Sequence, residues 1–149
     1  MTPRRRSLLA FVAAALCAIV LASVSHSQFV LNRLANLGVV IPADVRALVS
    51  LDDLLGLLPS YGVVITLGLG LAFALTAWLL RRGLGTPALL YPLAGAVAFA
   101  AMLLLMHPIL EITLIAGARS AGGFIGQCLA GAVAGGLFAA LNRAPNRKP

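Results

Sequence analysis

The stretch YGVVITLGLGLAFALTAWLL, residues 61–80, runs without a single charge and is followed at once by Arg81 and Arg82. A helix needs roughly 20 apolar residues to cross a hydrocarbon core of about 30 Å, so this stretch reads as a membrane span closed by a pair of cations. The rival reading is the buried core helix of a soluble domain, which requires enough polar chain elsewhere to coat it. The composition does not supply that chain. Of 149 residues, 61% are hydrophobic and 10% charged, and the mean hydropathy is +1.03. The two cysteines, Cys17 and Cys128, lie inside apolar runs with no C-x-x-C spacing, which excludes a disulfide scaffold and a zinc module.

Outward from residues 61–80, the charged residues leave three more uncharged stretches, at 7–32, 83–110 and 120–142. The chain is therefore expected to be an all-α membrane protein. Its predicted form is a four-transmembrane-helix bundle in a single membrane domain, residues 1–149, with spans at 8–24, 61–80, 88–106 and 121–141. The short connection from Arg81 to Pro87 makes the second and third spans an antiparallel hairpin. The third apolar run continues past Met106, so a helix break is expected at His107-Pro108, where proline removes a backbone donor, with a short interfacial or re-entrant segment from Ile109 to Ile115.

Residues 25–60 form the predicted outer loop, with short amphipathic helices. Phe29, Val30, Leu34 and Leu37 recur at helical spacing and stop at Gly38. Pro42 can open a second helix carrying Val45, Leu48 and Val49. Ser50 then precedes Leu51, Leu54, Leu55 and Leu58 at i, i+3, i+4, i+7, with Asp52 and Asp53 in the first turn. This last piece is expected to lie on the membrane surface with its leucines buried, and Pro59 to turn the chain into the second span.

Eleven Lys and Arg against four Asp and Glu give a formal charge of +7. The pattern reports topology rather than a nucleic-acid partner. With the N-terminus inside, Arg4, Arg5, Arg6, Arg81, Arg82, Arg143, Arg147 and Lys148 fall on the cytoplasmic side, and Arg33, Arg46 and Arg119 outside. Both termini are expected in the cytoplasm. Ten Arg to one Lys beside abundant Ala and Gly suggest GC-rich coding and a bacterial cytoplasmic (inner) membrane. Tyr61, Trp78 and Tyr91 are expected as interfacial aromatics. Arg4–Arg6 before an apolar run and Ser23 also fit a cleavable signal peptide. The alanine stripe Ala10, Ala14, Ala18, Ala22 suits instead a packed helix.

Candidate functional residues fall into two groups. The fourth span carries Gly122-x-x-x-Gly126 and Gly131-x-x-x-Gly135, and glycine costs about 1 kcal/mol against alanine in a helix interior, so these residues point to close helix packing. Gly62 and Gly70, with Thr66 and Ala74, form a comparable stripe on the second span, expected to face the fourth span or a partner. The second group is polar. Gln127, deep in a span, requires a carbonyl, Thr66 or a copy of itself. His107, Glu111 and Arg119 at the outer surface could bind a quinone head group, an anionic lipid or a proton in transit.

No metal site, cofactor or catalytic motif is expected: there is no phosphate loop, H-E-x-x-H or G-x-S-x-G, and the uncharged stretches lack the ionisable groups of a coupled transporter. The leading functional expectation is a non-enzymatic accessory or assembly subunit packing through its glycine-rich helix. The alternative is a small dimeric permease or channel lined by Gln127 and the glycine face, and the third reading is a quinone- or lipid-binding membrane subunit. The partners implied are the lipid bilayer and a homo-oligomer or larger membrane complex, with no nucleic acid.

The orientation is directly testable. With Cys17 and Cys128 replaced by serine, a membrane-impermeant thiol reagent should label a cysteine at position 50 in intact cells and leave one at position 146 unlabelled. The reverse pattern overturns the topology.

Overall fold

The computed structural model describes residues 2–110 and 120–142, the side chains of residues 3 and 106–110 excepted. Five helices follow in order: α1 (Pro3–Asn36), α2 (Ala43–Leu57), α3 (Tyr61–Arg81), α4 (Pro87–Leu110) and α5 (Ala121–Asn142). Among the described residues there is no strand. Helices α1, α3, α4 and α5 are long and apolar enough to cross a membrane, as a multi-pass membrane protein requires.

The four long helices form a ring. α1 packs on α3 and α5, and α4 packs on the same two, so α1 and α4 lie diagonally opposite, as do α3 and α5. α4 and α5 are the most intimately joined pair, and the reason is glycine. A Cβ added at Gly131 would fall on the carbonyl oxygen of Gly95, one at Gly95 on that of Gly131, and one at Gly135 on that of Tyr91. The two backbones touch at two points about one turn apart, Gly95 against Gly131 and Tyr91 against Gly135.

The centre of the ring is filled by aromatics. Phe73 of α3 stacks on Phe138 of α5 at 4.7 Å between centroids and meets Tyr91 of α4 edge-on at 5.5 Å. Phe11 of α1 joins from the fourth side at 6.3 Å. Ala10, Ala14, Ala18 and Ala22 are all buried, so the alanine stripe of α1 faces the ring. Tyr61 and Tyr91 are core residues, not interfacial anchors, whereas Trp78 is exposed near the Arg81 end with the Arg82 guanidinium 4.9 Å above its ring.

Three expectations about the connections are corrected. The helix predicted around Phe29 is the continuation of α1, which runs 34 residues without a break. At 1.5 Å per residue that is about 51 Å, well beyond the hydrocarbon thickness. Nothing between Val24 and Phe29 stops a helix, and the run ends only where Gly38 takes φ +89 and Val39 N–H donates to Leu34 O. The two further loop helices are one, α2, because Ser50 Oγ donates to Arg46 O at 2.8 Å and is satisfied mid-helix rather than acting as a cap. No residue of α2 is buried within the chain, and Leu51 and Leu55 are 57% and 70% exposed, so these two leucines are left for lipid or a partner.

The break expected at His107-Pro108 does not occur, since α4 stays helical to Leu110. Proline deletes a single donor, a loss that a membrane helix tolerates. The rest of the segment expected after it, from residue 111, lies outside the described residues.

Adjacent glycines in α5 should respond oppositely to the same change. Gly135→Ala places a methyl on the Tyr91 backbone and should destabilise by about 1–3 kcal/mol, the usual cost of overpacking. Gly136→Ala meets nothing nearer than Pro92 Cγ at 3.9 Å, and should be neutral or stabilising by up to about 1 kcal/mol. Thermal unfolding in detergent measures both, and equal responses would sink the backbone-contact account.

Candidate functional site

The polar groups of the ring gather at the end where α1 meets α2 and the N-termini of α3 and α5. Gln127 sits on the inward face of α5 and is 1% exposed. Its Nε2 donates to Ala22 O of α1 at 2.9 Å, and its Oε1 accepts from Tyr61 Oη of α3 at 3.2 Å. One amide therefore ties three helices together. The carbonyl partner is of the kind the sequence demands; Tyr61 is the partner missed, and Thr66 instead donates to Gly62 O within its own helix at 2.7 Å. The signal for Tyr61 was its register with Ile65, Leu69 and Phe73, which makes it the first member of the buried face of α3.

Above Gln127, α1 continues with Ser23, His26 and Ser27, all buried. Ser27 Oγ lies 2.7 Å from Asp53 Oδ2 of α2 and 3.0 Å from Ser23 O. Farther out, Arg46 Nη1 donates to Gln28 Oε1 at 3.2 Å and Asn32 Oδ1 at 3.1 Å, and Gln28 Nε2 donates to Ser50 Oγ at 3.3 Å. α2 thus lies antiparallel along the outer part of α1, fastened by polar side chains. Asp53 is a mid-helix fastener, not the first-turn charge that its position after Ser50 suggested.

The glycines separate by neighbour. Gly131 and Gly135 meet α4, whereas Gly122 and Gly126 meet α1: a Cβ at Gly126 would come 2.7 Å from Ser25 Oγ, and one at Gly122 3.0 Å from the Phe29 ring. Gly62 and Gly70 also face α1, at Ile19 and Phe11. The two small-residue stripes therefore do not face each other. Gly95, which the sequence reading passed over, is the centre of the α4 contact. Its flanking Tyr91 and Phe99, four residues either side, were the available sign of a packed face.

His107 belongs to α4 by its backbone, but its side chain, Glu111 and Arg119 lie outside the described residues. Among the described residues, no three His, Cys, Asp or Glu side chains come together in a way that could hold a metal ion. At the opposite end, Arg6 Nη2 donates to Asn142 O at 2.9 Å and Ser7 Oγ to Asn142 Oδ1 at 2.7 Å. A cation there also complements the negative end of the α5 dipole.

No protein-family model, no curated protein and no solved structure matches this chain. Its functional reading rests on the geometry above.

The two neighbouring acids of α2 offer a sharp comparison. Asp53→Ala or Ser27→Ala should loosen α2 and speed protease cleavage in the linker at residues 37–42, while Asp52→Asn, at an exposed position, should leave it unchanged. Cleavage at equal rates in all three variants would show that the fastener does not hold α2.

Proposed function

We propose that this chain is a small, non-enzymatic integral protein of a bacterial cytoplasmic membrane, with both termini and the Arg81-Arg82 turn on the cytoplasmic side, acting as an accessory or assembly subunit of a larger membrane complex. One observation carries the reading: the interior of the ring is spent on cohesion. Phe73, Phe138, Tyr91 and Phe11 occupy its centre, and Gln127 closes its polar end against Ala22 and Tyr61. A permeation path along the axis would have to displace both, which counts against the permease alternative.

In this reading the glycine-rich helix builds the subunit itself, because its glycines are occupied by α1 and α4. A partner then meets an outer surface, and α2 supplies one. Its polar side is fastened to α1, while Leu48, Leu51 and Leu55 are exposed. Apolar side chains recurring along one helix face are a common mode of recognition.

Purification in mild detergent should recover another membrane protein in fixed stoichiometry. Leu51→Ser with Leu55→Ser should diminish that recovery several-fold while leaving the melting temperature of the chain unchanged. A chain that purifies alone from its native membrane, or a partner that ignores the α2 change, overturns the proposal.

A further inference from the structure

α3 and α4 are joined less closely than α4 and α5, and on the outside of the ring they leave an apolar groove of about 450 Å³. Its floor is made of small residues, Ala72 and Thr76 on α3 opposite Ala94 and Ala98 on α4, and farther along Met102 of α4 packs on Gly68. The exposed Leu75 and Leu93 stand at its sides. Thr76 Oγ donates to Ala72 O at 2.8 Å, so the one hydroxyl in the floor is already satisfied. The groove reaches from Leu90 to Leu105 along α4, roughly 22 Å at the helical rise. That exceeds the half-thickness of about 15 Å that one leaflet's hydrocarbon occupies.

What lies at the mouth decides the occupant. Gly68, Ala72, Leu75 and Leu79 run down one face of α3, and the next residue in that register is Arg82. Its guanidinium is held over the Trp78 ring, with Arg81 beside it. α4 begins just across the turn with no acid in its first turn, so no carboxylate of its own offsets its positive dipole end. Among the described residues the acids are Asp44, Asp52 and Asp53, all on α2 at the other end of the bundle. Arg82, with Arg81 next to it, and a helix N-terminus with no acid in its first turn therefore adjoin the residues at this end of the trough, Leu79 and Leu90.

We infer that the α3–α4 groove is a binding site for an anionic glycerophospholipid, one acyl chain lying along Ala72, Thr76, Ala94 and Ala98 and the phosphate headgroup meeting Arg81 and Arg82. This site is independent of the accessory role and of the α2 surface. Headgroup charge sets the preference for anionic lipid, because arginines near a charged surface act additively, and the groove sets the need for a chain.

Native mass spectrometry of the delipidated full chain, titrated with dioleoylphosphatidylglycerol or dioleoylphosphatidylcholine, tests it. The anionic lipid should bind roughly thirtyfold more tightly, as two surface arginines would give. Arg81→Gln with Arg82→Gln changes only exposed side chains, and should abolish the preference with the fold intact. Ala94→Phe should weaken binding of the anionic lipid by filling the trough, and inorganic phosphate should fail to compete. Equal affinity for the two lipids, a preference that survives the double arginine change, or competition by phosphate alone overturns the inference. So does a dimer of the chain that Ala94→Phe dissociates, since a second copy would then be the occupant.

Discussion

In a bilayer, a leucine gains nothing by leaving lipid for another leucine, so apolar area cannot hold helices together as it does in water. What remains is contact close enough for dispersion and for weak Cα–H···O bonds, and that demands backbones without side chains between them. Gly95 against Gly131, and Gly135 against the Tyr91 carbonyl, meet that demand. The spacing of the remaining helices follows. With α4 and α5 drawn together on one side of the ring, Phe73 of α3 can reach across to Phe138, and α1 can bring its alanine stripe up to the same centre.

The polar contacts divide the labour differently. Gln127 is buried where water cannot compensate an unpaired amide, so its two hydrogen bonds fix which residues of α1, α3 and α5 stand level with one another. The Asp53–Ser27 contact acts outside this ring and holds an element that buries nothing of its own. Removing Gln127 would relax the register of the bundle, whereas removing Asp53 would free one appendage. Interhelical hydrogen bonds in membranes are individually modest, near 1 kcal/mol, so neither group replaces the glycine contacts as the source of cohesion.

How much of this could be read from the chain depends on what each signal measures. Uncharged length marks the four long helices, because the cost of burying charge in hydrocarbon is large and local. It does not mark where a helix ends, which is why the helix around Phe29 read as a separate piece of the outer loop while the backbone runs unbroken from the first span to Asn36. Glycine spacing marks α5 as a packing helix but not its partner; a span apolar on every face carries no moment to point inward, so Gly95 was passed over and Tyr61 read as an interfacial aromatic. Leucine periodicity in α2 marked a helix but not its full length, nor the polar side on which Arg46 and Asp53 fasten it to α1. The glycines and Gln127 were legible as candidates because their cost in a helix or in lipid is intrinsic to the residue. His107, Glu111 and Arg119 fall beyond what the described side chains address.

The junction of Arg6 and Ser7 with Asn142 has a temporal side. These groups are 136 and 135 positions apart in the chain, and α1 is synthesised first and α5 last. Until residue 142 has emerged, α1 has only α3 and the outer helix to lean on, its alanines and the Ala22 carbonyl lacking their final neighbour. The ring therefore closes only after α5 has been synthesised, by the contact of longest loop closure, and not helix by helix as each one enters the membrane. A nascent chain stalled before α5 would leave the small residues that α5 covers, Gly95 of α4 among them, facing the bilayer.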